Sequence, residues 1–108
     1  MNALCQLKIP INVVGVVAIA ENAIDSLSLK PHTIIQTTKG SVEISNTDAE
    51  GRLALADAFT YVQKHYKPTR VIDLATLTGA IIMALGHHTA GIFGNNDDFV
   101  DLAVKSGR

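Results

Sequence analysis

A continuous apolar run near the start of the chain constrains the fold most strongly. The run "NVVGVVAIA" occupies residues 12–20 and contains no charged side chain. It is rich in valine and isoleucine and does not alternate between apolar and polar residues, as a strand with one solvated face would. It is also shorter than the roughly 18 apolar residues that a membrane-spanning helix needs. The run therefore predicts a strand covered on both faces, as in a parallel sheet.

A secretory leader is the alternative interpretation of the same run. Lys8 precedes it, and Ala-Ile-Ala at 18–20 resembles a small-residue cleavage site. Pro10 and Asn12 interrupt the apolar region, however, and the β-branched residues favour a strand. We therefore expect a buried strand here.

The remaining residues predict alternating strands and helices. The polar segment 21–32 is typical of a loop, and Lys39-Gly40 lies between the two β-prone stretches of a hairpin. A helix is expected from about Glu50 to His65, because its apolar residues recur at spacings of three and four. Further strands are expected at 70–76 and 89–95, and further helices at 77–86 and 96–108. This order favours an α/β fold with a mostly parallel sheet flanked by helices.

Composition limits the possible partners. The chain has 108 residues, enough for one domain, and nine basic against ten acidic side chains give a formal charge of −1. The sequence contains no block of basic residues of the kind that forms a nucleic-acid surface. It also contains no apolar run long enough to span a membrane. The single cysteine, Cys5, excludes an internal disulfide, suggests a reducing compartment and receives no catalytic role.

Two acids precede a helical run in "NTDAEGRLALADAF", residues 46–59. Asp48 and Glu50 are two residues apart, so at a strand end or in an extended turn their carboxylates point the same way. Two carboxylates placed like this repel each other unless a counter-charge lies between them. A divalent cation solves this, because hard oxygen ligands suit Mg, Mn and Zn. Gly51 allows close backbone approach, and Arg52 offers a planar fork of donors to an anion.

Helix capping is the competing interpretation of these residues. Thr47 or Asp48 would cap the helix, Glu50 would complete the capping pattern and Arg52 would be a surface charge. A calcium loop of the EF-hand type does not fit, because its twelfth position holds Phe59 in place of glutamate.

Other polar residues are expected to be structural. His87 and His88 are adjacent on a turn and cannot easily face one metal, so we expect structural or surface placement. Asp73 lies within a predicted strand and is expected to be hydrogen-bonded within the fold.

The signature resembles a known family. "NTDAEGRLALADA" matches, nearly letter for letter, the signature of the M17 leucyl aminopeptidases, which are cytosolic exopeptidases with two metal ions. "VVGVVAIAEN" and "VIDLATLTGAIIMALGHHTAGIFGN" resemble the family segments on either side of it. The resemblance extends from about Asn12 to Arg108 and implies that residues 1–108 form a single, partial catalytic domain. Ile24 and His32-Thr33 replace a proline and a Gly-Asp pair usual in the family, which leaves the conformation of that loop open.

The resemblance also implies the roles of site residues. Asp48 and Glu50 would be metal ligands, with Glu50 bridging two ions, either zinc or manganese, with magnesium as a further option. Arg52 would hold a bicarbonate that serves as general base for the attacking water. The positions implied to contact substrate are Asn46, Ala49, Thr76, Leu77 and Gly79.

The turn at 76–79 has a rationale from the residues as well. Free N–H groups at a helix start, with Gly79 leaving room, can form an anion site. Plain capping by Thr76 or Thr78 is the alternative.

The implied activity is removal of leucine-like N-terminal residues from short peptides, in the cytoplasm, by a hexamer. In the family, two further aspartates and two lysines of the site precede the strand corresponding to 12–20, and residues 1–108 lack them. We therefore expect this chain by itself to be unable to hydrolyse peptides. A non-catalytic fragment or remnant that acts only in assembly is the alternative. A different two-metal hydrolase would need histidine ligands that the signature lacks.

Overall fold

The computed structural model describes residues 1–107. The chain divides into two compact units, Met1–Ala75 and Thr76–Arg108. No helix in the described part of the chain is long and apolar enough to cross a membrane. The first unit contains α1 (Asn2–Leu7), β1 (Thr33–Thr37), β2 (Gly40–Ile44), a short 3-10 helix (Thr47–Ala49) and α2 (Glu50–Tyr66). The second contains α3 (Ala80–Leu85) and α4 (Asp97–Ser106).

The two strands pair as an antiparallel hairpin. Thr33 lies opposite Ile44 at the open end, and Thr37 lies opposite Gly40 at the turn. Alternate residues of both strands are at least half-buried, and Ile44, at 4% exposure, is the most buried of the residues that the structure describes. Gly40 has φ 143°, a conformation that costs glycine little because it has no Cβ. The predicted hairpin is confirmed.

Helix α2 also follows its prediction, running from Glu50 to Tyr66 and ending where Lys67 adopts a left-handed φ of 45°. Its half-buried residues recur at helical spacing and include Leu53, Phe59 and Val62. Glu50 lies in its first turn, and Lys64 and His65 lie in its last, which suits the helix dipole at both ends.

A side-chain hydrogen bond joins the hairpin turn to α2. The hydroxyl of Thr38 donates to Asp57 Oδ1 at 2.7 Å, across 19 residues of sequence. Because the acceptor is a carboxylate, this bond is stronger than one between neutral groups.

The second unit contains two helices with recognisable ends. The side chain of Asn96 accepts from the N–H of Phe99 at 2.8 Å, and two acids follow it in the first turn of α4. Helix α3 is shorter than the predicted 77–86, because regular structure begins only at Ala80. It ends as predicted at Gly86, which has φ 77° and donates its N–H to the carbonyl of Ile82 at 2.8 Å.

Three predicted strands are absent from the described residues. Segments 12–20, 70–76 and 89–95 have no regular secondary structure, and apolar side chains such as Ile19 (88% exposed) and Phe93 (91% exposed) face solvent. A strand requires a hydrogen-bonded neighbour, and residues 1–107 supply none to these runs. The sheet that residues 1–107 form is a two-stranded antiparallel hairpin, and the expected mostly parallel sheet is not seen in them.

The mixed helix and strand content of the α/β prediction is confirmed, as is the loop at 21–32. Within that loop, Asp25 Oδ1 accepts from the N–H of Leu27 at 2.6 Å, and Asp25 N–H donates to the Ser28 hydroxyl at 2.9 Å. Helix α1 is an element that the sequence analysis did not predict.

Replacing the hydroxyl that links hairpin and helix should loosen the first unit. Thr38→Val keeps the side-chain volume but loses the bond to Asp57, so we expect the free energy of unfolding to fall by about 1 kcal/mol. Urea denaturation followed by circular dichroism measures this. Thr60→Val is the matched control, because the Thr60 hydroxyl bonds only the Ala56 carbonyl of its own helix. Equal losses in the two variants would contradict the link.

Candidate functional site

The signature begins one residue after the hairpin. Strand β2 ends at Ile44, the 3-10 helix occupies Thr47–Ala49, and α2 starts at Glu50. Among the described residues, the backbone thus passes from the most buried one, Ile44, through a 3-10 helix to the start of the longest helix. This turn presents the predicted ligands Asp48 and Glu50.

Asn46 organises the turn. Its side-chain oxygen accepts from the N–H of Asp48 at 2.9 Å, and its carbonyl accepts from the N–H of Ala49 at 3.3 Å. Asn46 is thus the N-cap of the 3-10 helix. The capping interpretation, in which Thr47 or Asp48 caps α2, is wrong, because the N-cap of α2 is Ala49 and no side chain caps it. Asparagine is among the strongest capping residues, so the role of Asn46 could have been anticipated from residue type.

Asp48, Glu50 and Arg52 have exposed side chains. Within residues 1–107, these three side chains form no ion pair or hydrogen bond with other side chains or with the backbone. Their charged groups are therefore available to partners outside the described chain.

The direction of the two carboxylates differs from the expectation. The shared direction of Asp48 and Glu50 depended on a strand end or extended turn, but Asp48 lies in a 3-10 helix and Glu50 has helical φ −62° and ψ −35°. Side chains two residues apart on a helix do not face each other. Both carboxylates nevertheless lie at the start of the 17-residue helix α2, where the dipole favours negative charge.

The described residues do not contain a complete metal centre. No group of three or more His, Cys, Asp and Glu side chains comes together in residues 1–107. His87 and His88 are exposed, in agreement with the expected surface placement, and Asp73 is exposed as well, not enclosed in a strand. Asp48 and Glu50 remain the donors that the signature supplies.

Thr76, Leu77 and Gly79 lie in the second unit, just before α3. Gly79 is the N-cap of this helix, and its carbonyl accepts from the N–H of Ile82 at 3.1 Å. No side chain caps α3, so the capping alternative for Thr76 or Thr78 is wrong. Leu77 is 45% exposed, and the side chain of Thr76 is exposed as well.

Comparison with known proteins bears on the residues placed so far. The family model described as "Cytosol aminopeptidase family, catalytic domain" matches residues 1–108. The chain belongs to the cytosol aminopeptidase family. The suspected resemblance to that family is thus confirmed.

Similar curated proteins agree with the cytosol aminopeptidase family. A probable cytosol aminopeptidase of Alcanivorax borkumensis is 49% identical over the whole chain, which covers 22% of that relative. Relatives with the same name from Chromohalobacter salexigens and Buchnera aphidicola are 56% and 52% identical over 91% and 90% of the chain, which covers 19% of each. The chain thus spans about a fifth of the length of these relatives. No solved structure matches it.

Removing the Asn46 cap should open the turn that carries Asp48. We expect Asn46→Ala to weaken the turn by about 1 kcal/mol, because the N–H of Asp48 loses its acceptor. Hydrogen exchange of the Asp48 amide measures the change. Asn46→Asp is the control, since a carboxylate oxygen of the same reach keeps the bond. Equal exchange in the two variants would show that the cap does not hold the turn.

Proposed function

We propose that these residues belong to a metal-dependent aminopeptidase that releases leucine-like N-terminal residues from short peptides. The family match over the whole chain carries this proposal, together with the exposed, unpaired acids of the signature. The curated relatives are named as cytosol aminopeptidases, which also supports a cytoplasmic location.

Asp48 and Glu50 would be ligands of two divalent ions, with Glu50 bridging them. Their carboxylate oxygens fit zinc, manganese or magnesium in chemical type. Two carboxylates are too few ligands for such a site, however, and residues 1–107 bring no third His, Cys, Asp or Glu side chain beside them. A two-metal site would require donors from other parts of a complete catalytic domain. When bound, two such ions can acidify a shared water and polarise a scissile carbonyl.

Arg52 would hold a bicarbonate ion beside the attacking water. Its guanidinium is exposed and unpaired within residues 1–107, so its planar fork of donors is available to an anion. Bicarbonate held in this way would act as the general base. Asn46, by capping the turn, would hold the backbone of Asp48 in a defined position.

The remaining proposed contacts are to the peptide. Ala49 lies between the two acids and is half-buried, which suits a residue that lines a site without donating charge. The substrate-contacting set would consist of Asn46, Ala49, Thr76, Leu77 and Gly79.

The unpaired apolar runs support a larger assembly around this chain. Segments 12–20, 70–76 and 89–95 expose apolar side chains, including Val17 at 80% and Leu74 at 93%. We propose that these runs join a mostly parallel sheet in a complete catalytic domain, where neighbouring strands and helices cover them. A homohexamer of such domains would be the functional assembly.

Residues 1–108 alone would be inactive, because two carboxylates do not complete a two-metal site. We expect no turnover of leucine p-nitroanilide by this segment in the presence of manganese or zinc. Turnover comparable to that of a full-length relative would refute this. If inactivity persists in the protein as its gene encodes it, the alternative of a non-catalytic protein acting only in assembly is favoured.

Removing one proposed ligand tests the site itself. In the protein as its gene encodes it, Asp48→Asn and Glu50→Gln should each lower kcat/KM by at least about 100-fold, because each removes a negatively charged metal donor. Asp97→Asn is the control, since Asp97 is also an acid in the first turn of a helix but has no proposed ligand role. If both variants kept their activity, the assignment of Asp48 and Glu50 as metal ligands would be wrong.

A further inference from the structure

His32 has an unusual backbone conformation at the open end of the hairpin. Its φ is 65°, in the left-handed region that few residues other than glycine adopt readily, although histidine is enriched there relative to most. It immediately precedes Thr33, the first residue of β1. A residue persists in this region when surrounding contacts hold it there.

Two contacts hold His32, and both lead to the end of β2. Its N–H donates to the carbonyl of Ile44 at 2.6 Å. Its ring atom Nδ1 lies 3.0 Å from Oε1 of Glu43, and donates to that carboxylate when it carries hydrogen. The backbone and the ring of His32 thus contact two consecutive residues of β2, Ile44 and Glu43.

These two contacts of His32 lie close in sequence to the proposed ligands. Only Ser45 separates Ile44 from Asn46, whose side chain caps the N–H of Asp48. Hydrogen bonds therefore restrain the backbone on both sides of Ser45. His32 contacts the residues before Ser45, and the Asn46 cap restrains those after it. Loosening either restraint would let the Asp48 carboxylate sample more positions.

We propose that His32 is a positioning residue for Asp48 and Glu50, acting through Glu43 and Ile44 to fix the exit of β2. The inference rests on the proposed function, in which those acids bind metal. His32 does not touch the metal or the peptide in this role, and its effect is to reduce the entropy lost when the ligands are ordered.

The ring contact can be removed while the backbone conformation is kept. In the protein as its gene encodes it, His32→Gly tolerates φ 65° and retains the N–H, whereas Glu43→Thr removes the acceptor and suits a strand. We expect each to raise the Mn²⁺ dissociation constant about two- to fivefold, the range for a contact between solvent-exposed side chains. Calorimetric titration with Mn²⁺ and hydrogen exchange of the Asp48 amide are the two readouts.

Three controls separate positioning from general stability. Glu43→Gln keeps an acceptor oxygen and should restore affinity. Gln36→Thr removes a cross-strand bond of 3.0 Å to Ser41 near the turn end of the hairpin, and should leave Mn²⁺ affinity unchanged. The double variant of His32→Gly and Glu43→Thr should be no weaker than either single variant, because both break one contact.

The outcomes are distinct. Weaker Mn²⁺ binding, faster Asp48 exchange and non-additivity together support the proposal. Unchanged affinity in His32→Gly and Glu43→Thr overturns it, even if both variants melt at lower temperature. If the unmodified protein binds no Mn²⁺ and cleaves no peptide, the proposed function fails, and Asp48 exchange alone decides the positioning role: faster exchange supports it and unchanged exchange overturns it.

Discussion

Backbone pairing between β1 and β2 is the constraint on which the rest of the first unit depends. It brings Thr33 opposite Ile44 and shields Ile44 from solvent, so the chain leaves the sheet at a defined residue. The signature then begins within two residues of that exit. The hydrogen bond from Thr38 to Asp57 adds a second tie, between the turn of the hairpin and the middle of α2. Strand pairing therefore sets the residue at which the chain leaves the sheet, and the hydrogen bond links the hairpin turn to α2.

The capping arrangement reconciles two interpretations that compete at the level of sequence. An acid at a helix start can be a cap or a ligand, and a carboxylate engaged by backbone N–H groups has fewer free lone pairs for a cation. Here Asn46 supplies the cap. That cap serves the 3-10 helix, and no side chain caps α2 itself, so the carboxylate oxygens of Asp48 and Glu50 are not used as caps. A structural role for one residue of the signature thus leaves its neighbours available for chemistry.

Short-range sequence patterns predicted the elements whose hydrogen bonds are made within a short stretch of chain. The hairpin, α2 and α4 depend on turn residues, apolar periodicity and caps within short stretches, and each was located within a few residues. The run at 12–20 and its two counterparts failed as strands, because β-branched composition favours a strand but cannot supply its neighbour. The same limit applies to the site. The residue types of Asp48 and Glu50 could be recognised, but their orientation depended on a 3-10 helix that the spacing did not reveal.

The separation in sequence of these contacts has a consequence for the order of folding. Thr33 and Ile44 are 11 residues apart, and Thr38 and Asp57 are 19 apart, so closing either loop costs little chain entropy. Contacts of this kind form early, whereas pairing between distant strands is slow. The hairpin and α2 can thus act as a nucleus that is complete before the valine-rich run has found a partner. Until then the exposed apolar side chains of the run favour aggregation, as transiently exposed hydrophobic surface does during folding.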